Sequence, residues 1–98
     1  MDAARKIEEL TTVLTALSHP ARRQILLTIW FRGGEMASGD IAARFQHSWP
    51  TTTRHLRVLE EAELVVQEKQ GRTRVYRVNA KKLEAVKQWL AWFDKKTE

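Results

Sequence analysis

The hydrophobic pattern of this chain switches at Glu63, and that switch restricts the fold more than any other feature. Before it, apolar residues recur at three- and four-residue steps, the spacing of amphipathic helices. After it come Leu64-Val65-Val66-Gln67-Glu68 and Thr73-Arg74-Val75-Tyr76-Arg77-Val78, rich in β-branched and aromatic residues. Lys69-Gln70-Gly71-Arg72 lies between them, with glycine where a hairpin needs positive φ. From Asn79, read as a cap, helical spacing returns. The fold expected is mainly α with one small β-hairpin.

The helices before the switch have readable ends. Ile7, Leu10, Leu14 and Leu17 form one apolar face of a first helix, about 3–17. Ser18-His19-Pro20 breaks the chain and restarts it, because proline fits a first helical turn but not an interior. A second helix runs from about Pro20 to Phe31, with Ile25, Leu26, Ile29 and Trp30 inward and Arg22 and Arg23 off that side. Gly33-Gly34 ends it, since glycine accepts left-handed geometry. Ser38 is positioned to cap a third helix, and Asp40 suits its positive end. Ile41, Ala42 and Phe45 give that helix its inward side. Gln46-His47-Ser48 leaves room only for a tight turn before a fourth helix through about Ala62.

Two short helices joined so closely form a helix-turn-helix, about 38–62. The hairpin behind it, about 64–78, is a wing. A last helix, about 80–94, carries Leu83, Val86, Leu90 and Phe93 on one face, flanked by Trp89 and Trp92. Residues 1–98 read as a single winged helix-turn-helix domain.

The 98 residues include no cysteine. Disulfides, zinc–thiolate sites and cysteine nucleophiles are therefore excluded. No apolar run is long enough to span a bilayer, and the N-terminus does not read as a signal peptide, so a cytoplasmic protein is expected. Enzyme chemistry finds no support in a serine–histidine–carboxylate pattern, a phosphate-cradling glycine loop or a carboxylate pair. No catalytic residue and no cofactor is assigned.

The formal net charge of +5 suggests a polyanionic partner, and its distribution says more. No acid lies between Asp40 and Glu60, where Arg44, His47, Arg54, His55 and Arg57 fall. None lies between Glu68 and Glu84, where Lys69, Arg72, Arg74, Arg77, Lys81 and Lys82 fall. The acid-free stretches are the fourth helix and the wing. Cations there displace counterions from a phosphate backbone.

At 100° per residue, Thr52, Leu56 and Leu59 share one face of the fourth helix, with His55 at its edge. Arg54 and Arg57 lie opposite, flanked by Thr51 and Thr53. Side chains in the first turns of such a helix reach base edges in the major groove. Arginine pairs with guanine or phosphate, and threonine methyls touch thymine. Trp49 has two readings, a hydrophobic staple closing the turn or a DNA contact. The candidate DNA-binding set is Trp49, Thr51, Thr53, Arg54, His55, Arg57, Lys69, Arg72 and Arg74. Tyr76 is assigned to the core.

The chain resembles the ArsR-type family of winged helix-turn-helix repressors from about Leu14 to Phe93. The resemblance is carried by ALSHPARRQIL at Ala16–Leu26, GDIAARF at Gly39–Phe45, SWPTTTRHLRVLEEAELV at Ser48–Val65 and GRTRVYRVN at Gly71–Asn79. It implies a bacterial homodimer on double-stranded DNA, at an inverted-repeat operator often overlapping its own promoter, and nucleoid-associated when bound. It also implies dimerisation through the first and last helices. Ile7, Leu10, Leu14, Leu83, Val86, Trp89, Leu90 and Phe93 are the candidate interface, and the broad apolar face of the last helix supports this independently.

The chain departs from the metal-sensing branch. Ala37 and Gly39 stand where that branch carries a cysteine pair, and His19, His47 and His55 are scattered. No metal site is expected, because borderline metals need converging ligands. Thr52 stands where the family usually has an aliphatic residue, and Trp49 where a polar one is common. Two further partners are compatible with the residues. One is an unidentified effector between the terminal helices. The other is a protein that docks on exposed tryptophans.

Overall fold

The computed structural model describes residues 2–46 and 48–96. His47, counted above among the basic residues, lies outside them. The elements run α1 (Asp2–Ala16), α2 (Pro20–Phe31), β1 (Glu35–Ala37), α3 (Ser38–Ala43), α4 (Trp49–Glu61), β2 (Val65–Gln70), β3 (Thr73–Val78) and α5 (Glu84–Ala91). Single 3₁₀ turns, Ala80–Leu83 and Trp92–Asp94, flank α5.

Local chemistry sets most boundaries. Pro20 sits in the first turn of α2, and His19 caps it, its Nδ1 accepting from the Ala21 N–H at 3.1 Å. The helix stops where Gly33 and Gly34 take φ of 100° and 94°. The Gly34 N–H then reaches back to the Ile29 carbonyl at 3.0 Å. Helix α4 ends in the same motif without a glycine. Glu63 holds φ at 62°, while the Leu64 N–H donates to the Leu59 carbonyl at 2.9 Å. Asn79 Nδ2 donates to the Glu63 carbonyl at 3.1 Å, and Lys82 pairs with its carboxylate at 3.0 Å. These contacts help hold a conformation that a β-carbon disfavours.

Four expectations need correction. Asn79 makes no cap bond and is spent on Glu63. Ser38 lies inside α3, whose cap is Ala37 with no side-chain bond. Trp30 is 52% exposed, because the inner side of α2 is filled by Ala21, Ile25, Leu26 and Ile29. Finally, the hairpin is part of a three-stranded antiparallel sheet in the order β1-β3-β2. Glu35-Met36-Ala37 is too short to show a period, and it pairs because the outer edge of β3 needs partners.

The sheet has two unlike faces. Val65, Gln67 and Lys69 stand opposite Val78, Tyr76 and Arg74 on one side. Val66, Glu68 and Gln70 stand opposite Arg77, Val75 and Thr73 on the other. The first side meets the core, where Ile25, Ile29, Ile41, Leu56, Leu59, Leu64 and Val65 are buried with Tyr76. Burying each leucine or isoleucine contributes about 1.5–3 kcal/mol.

The terminal helices pack on each other at one end. The radius of gyration is 15.1 Å, against about 13 Å for a compact chain of this length. The molecule thus extends beyond its core. Leu83 and Val86 turn inward against that core, so these two members of the expected interface anchor α5 to its own domain. No helix among the described residues is long and apolar enough to cross a membrane.

Candidate nucleic-acid interface

Helix α4 begins where Ser48 caps it. The Ser48 Oγ accepts from the Thr51 N–H at 3.3 Å and donates to Thr51 Oγ1 at 3.0 Å. Pro50 follows in the first turn, where its missing N–H is not needed. Thr52, His55, Leu56 and Leu59 are buried and tie the helix to the domain. The opposite side presents Trp49, Arg54 and Arg57 to solvent, with Thr51 and Thr53 half-buried beside them.

His55 departs from the expected DNA-binding set. It is 8% exposed, its ring lies 4.5 Å from that of His19, and its Nδ1 is 3.5 Å from Arg22 Nη1. The helical period carries it past the edge and into the seam between α2 and α4. Trp49 is 56% exposed. It stands over a groove of about 350 Å³ between α4 and the sheet, shared with Thr53, Arg57, Arg74 and Tyr76.

The wing is a tight hairpin. Gln70 and Thr73 pair, Gly71 takes φ of 65°, and Arg72 completes the two-residue turn. Positive φ at the first central residue alone is the type II′ pattern, which matches the twist of the strands. Lys69, Arg72 and Arg74 are all exposed. Lys69 and Arg74 stand directly opposite each other on the face that continues towards α4. A like-charged cross-strand pair opposes folding in the absence of an anion.

Arginines on the two faces of β3 differ. Arg77 on the far face lies 3.4 Å from Glu35 and 3.3 Å from Glu68. A hydrogen bond from Gln70, then the charge of Arg77, holds the Glu68 carboxyl below its ordinary range. Arg74 meets no carboxylate. Its Nη1 donates to Gln67 Oε1 at 2.6 Å, and Gln67 Nε2 donates to both Glu60 oxygens at 2.9 and 3.0 Å. Burial, then the nearby Glu60 charge, pushes the Tyr76 hydroxyl above its ordinary pKa. Among the described residues, the side chains of Arg54, Arg57, Lys69 and Arg72 make no hydrogen bond or ion pair.

Gln67 and Glu60 were not singled out from the sequence. The available signal was the strand register, which puts Gln67 diagonal to Arg74 on one face.

The terminal surface is apolar. Ile7, Leu14, Trp89, Leu90, Trp92 and Phe93 are exposed, while Leu10 is half-buried. Trp89 and Phe93 meet edge to face at 5.2 Å. Beside them a groove of about 680 Å³ lies between α1, the end of α4 and α5, lined by Glu8, Glu9, Glu61, Glu63, Lys81 and Lys82. Its mixed charges do not select a ligand class.

A short helix pair followed by a wing, both carrying exposed cations, defines a winged helix-turn-helix regulator. The model of a helix-turn-helix domain family matches residues 17–68. The transcriptional repressor SdpR of Bacillus subtilis is 34% identical over 84 residues, 86% of this chain and 91% of that protein. The arsenical resistance operon repressor of Staphylococcus xylosus is 36% identical over 81 residues, 83% of this chain and 76% of that one. A crystal structure of an ArsR family transcriptional regulator superposes with a TM-score of 0.79 at 29% identity, over 92% of this chain and 95% of that one. A homodimeric winged helix-turn-helix domain from Mycobacterium bovis, solved in solution, gives a TM-score of 0.72 at 27% identity, over 90% of this chain and 82% of that one. This chain belongs to the ArsR family of DNA-binding transcriptional regulators.

Proposed function

We propose that this protein is a homodimeric repressor that binds an inverted-repeat operator, including one at its own promoter, without metal. Helix α4 enters the major groove, where Arg54 and Arg57 meet guanine or phosphate. Thr51, Thr53 and Trp49 line the contact. Lys69, Arg72 and Arg74 hold the flanking backbone.

The observation that carries this reading is the Lys69–Arg74 pair. Two cations face each other across the wing, and Arg74 lines the groove that Arg57 of α4 also lines. A phosphate between them turns a repulsion into two attractions.

The second copy is assigned to the terminal helices. Ile7, Leu14, Trp89, Leu90 and Phe93 offer an apolar surface that a two-fold partner covers with the same residues. Such a dimer presents two α4 helices to successive half-sites. The absence of cysteine supports operation without a thiolate metal site. Calorimetric titration with zinc is expected to show no stoichiometric heat, and tight binding at one site per protomer would overturn that part.

Footprinting on genomic fragments tests the whole reading. Protection of a symmetric site, including one upstream of the protein's own gene, is expected. Protection no better than on random DNA would defeat it.

A further inference from the structure

We propose that Glu60 is a positioning residue for DNA binding, acting through Gln67 to hold Arg74 over the groove between α4 and the wing. This rests on the DNA-binding reading above and deepens it.

A carboxylate next to a DNA-binding surface is unfavourable on charge alone. Glu60 lies on α4, one turn beyond Arg57, and it is the acid that closes the acid-free interval of that helix. Its two oxygens both accept from Gln67 Nε2, at 2.9 and 3.0 Å. An ionised carboxylate only accepts, so it fixes which way the Gln67 amide points. The NH₂ group turns to Glu60, and the carbonyl oxygen is left facing Arg74. Arg74 Nη1 donates to that oxygen at 2.6 Å. Were the amide reversed, it would present a donor to a donor, and Arg74 would lose its anchor.

The relay crosses from the recognition helix to both strands of the wing. It therefore fixes two DNA-contacting elements relative to each other. Arg74 is anchored by a neutral amide, so its charge stays available to phosphate, whereas Arg77 spends its charge on Glu35 and Glu68. An arginine fixed before binding loses less side-chain freedom on contact.

The relay and simple electrostatics predict opposite signs. Removing an acid from a DNA-facing surface should tighten binding if charge is all that matters. The relay predicts that Glu60→Ala weakens binding, by roughly three- to tenfold, within the range for residues sharing one network. In an Arg74→Ala background the same substitution should no longer weaken binding. Glu60→Gln removes the charge but keeps an acceptor oxygen that can still receive the Gln67 amide, so it should bind more tightly than Glu60→Ala. Gln67→Ala should resemble Glu60→Ala.

The experiment is a fluorescence anisotropy titration of a labelled duplex carrying the footprinted site, with all six proteins (wild type, the four single variants and the Glu60→Ala/Arg74→Ala double variant) at one salt concentration. Thermal unfolding by circular dichroism checks that each is folded. Tighter or unchanged binding by Glu60→Ala, or an equal loss with and without Arg74, would overturn the relay while leaving DNA binding intact. Wild-type protein that binds no duplex would overturn the function itself, and the relay with it.

Discussion

Two surfaces of this molecule lack a partner within the chain, and their chemistries differ. Helix α4 buries Thr52, His55, Leu56 and Leu59 and turns arginines outward. Helix α5 has no fully buried residue and turns Trp89, Leu90 and, just beyond its end, Trp92 and Phe93 outward. An exposed polar face is already satisfied by water and gains from a polyanion through counterion release. An exposed aromatic face gains by leaving water altogether. In the proposed complex, helical amphipathicity serves two purposes. In α4 the apolar side is internal and the exposed polar side is assigned to DNA. In α5 the inward side packs on the domain, and the exposed apolar side is assigned to the second copy.

The largest effect that sharpens this contrast is expected at the terminal surface. Leu90→Glu places a charge in the proposed interface. Sedimentation should then show monomer at concentrations where the wild type is dimeric, with operator affinity reduced at least about 100-fold, since an unpaired buried charge costs several kcal/mol. A dimer that survives the substitution would place the interface elsewhere.

The next largest effect belongs to α4. Arg54→Ala is expected to cost about 1–3 kcal/mol of operator affinity and relax specificity at one base pair, read by binding to a panel of mutated operators. Uniform weakening on every sequence would assign Arg54 to the backbone instead.

A smaller effect concerns the buried side of α4. Thr52 is 2% exposed, and its hydroxyl has no hydrogen-bond partner. Thr52→Val removes the unsatisfied group at nearly constant shape and should raise stability by about 1–2 kcal/mol in urea unfolding. Loss of stability would mean that the hydroxyl is solvated.

The smallest effect is electrostatic. The chain has one tyrosine, so its ionisation is readable in the ultraviolet. Tyr76 should titrate above 10.0, because burial and then Glu60 disfavour the phenolate. The sign follows from linkage. The folded state holds this proton more tightly than the unfolded chain does. Its contribution to stability is therefore complete below about pH 10 and is lost as pH rises through the folded pKa. Titration at or below the ordinary value would contradict the burial of the ring.

Much of this organisation was legible in the sequence because it rests on local chemistry. Pro20, Gly33, Ser48 and Gly71 act through backbone geometry that few residues supply, and each stands where its element starts or stops. The acid-free intervals marked α4 and the wing for the same reason, since charge is written directly in residue type. What was not legible depends on distant partners. β1 exists because β3 has a free edge. Asn79 is diverted from capping by the unusual φ of Glu63. His55 sits at the margin of a face, and only the packing of α2 decided that it turns inward. Gln67 became noticeable once the strand register set it between Glu60 and Arg74.

The central claim is that α4 and the α4-facing side of the wing meet DNA while the far face of the sheet does not. Arg74 and Arg77, three residues apart on β3, test it most directly. Operator affinity should be measured against salt concentration for the wild type, Arg74→Ala and Arg77→Ala. Log affinity should fall linearly with log salt, the slope should drop by about one for Arg74→Ala, and it should stay at the wild-type value for Arg77→Ala. A slope near zero, or an equal drop for both arginines, would contradict the account.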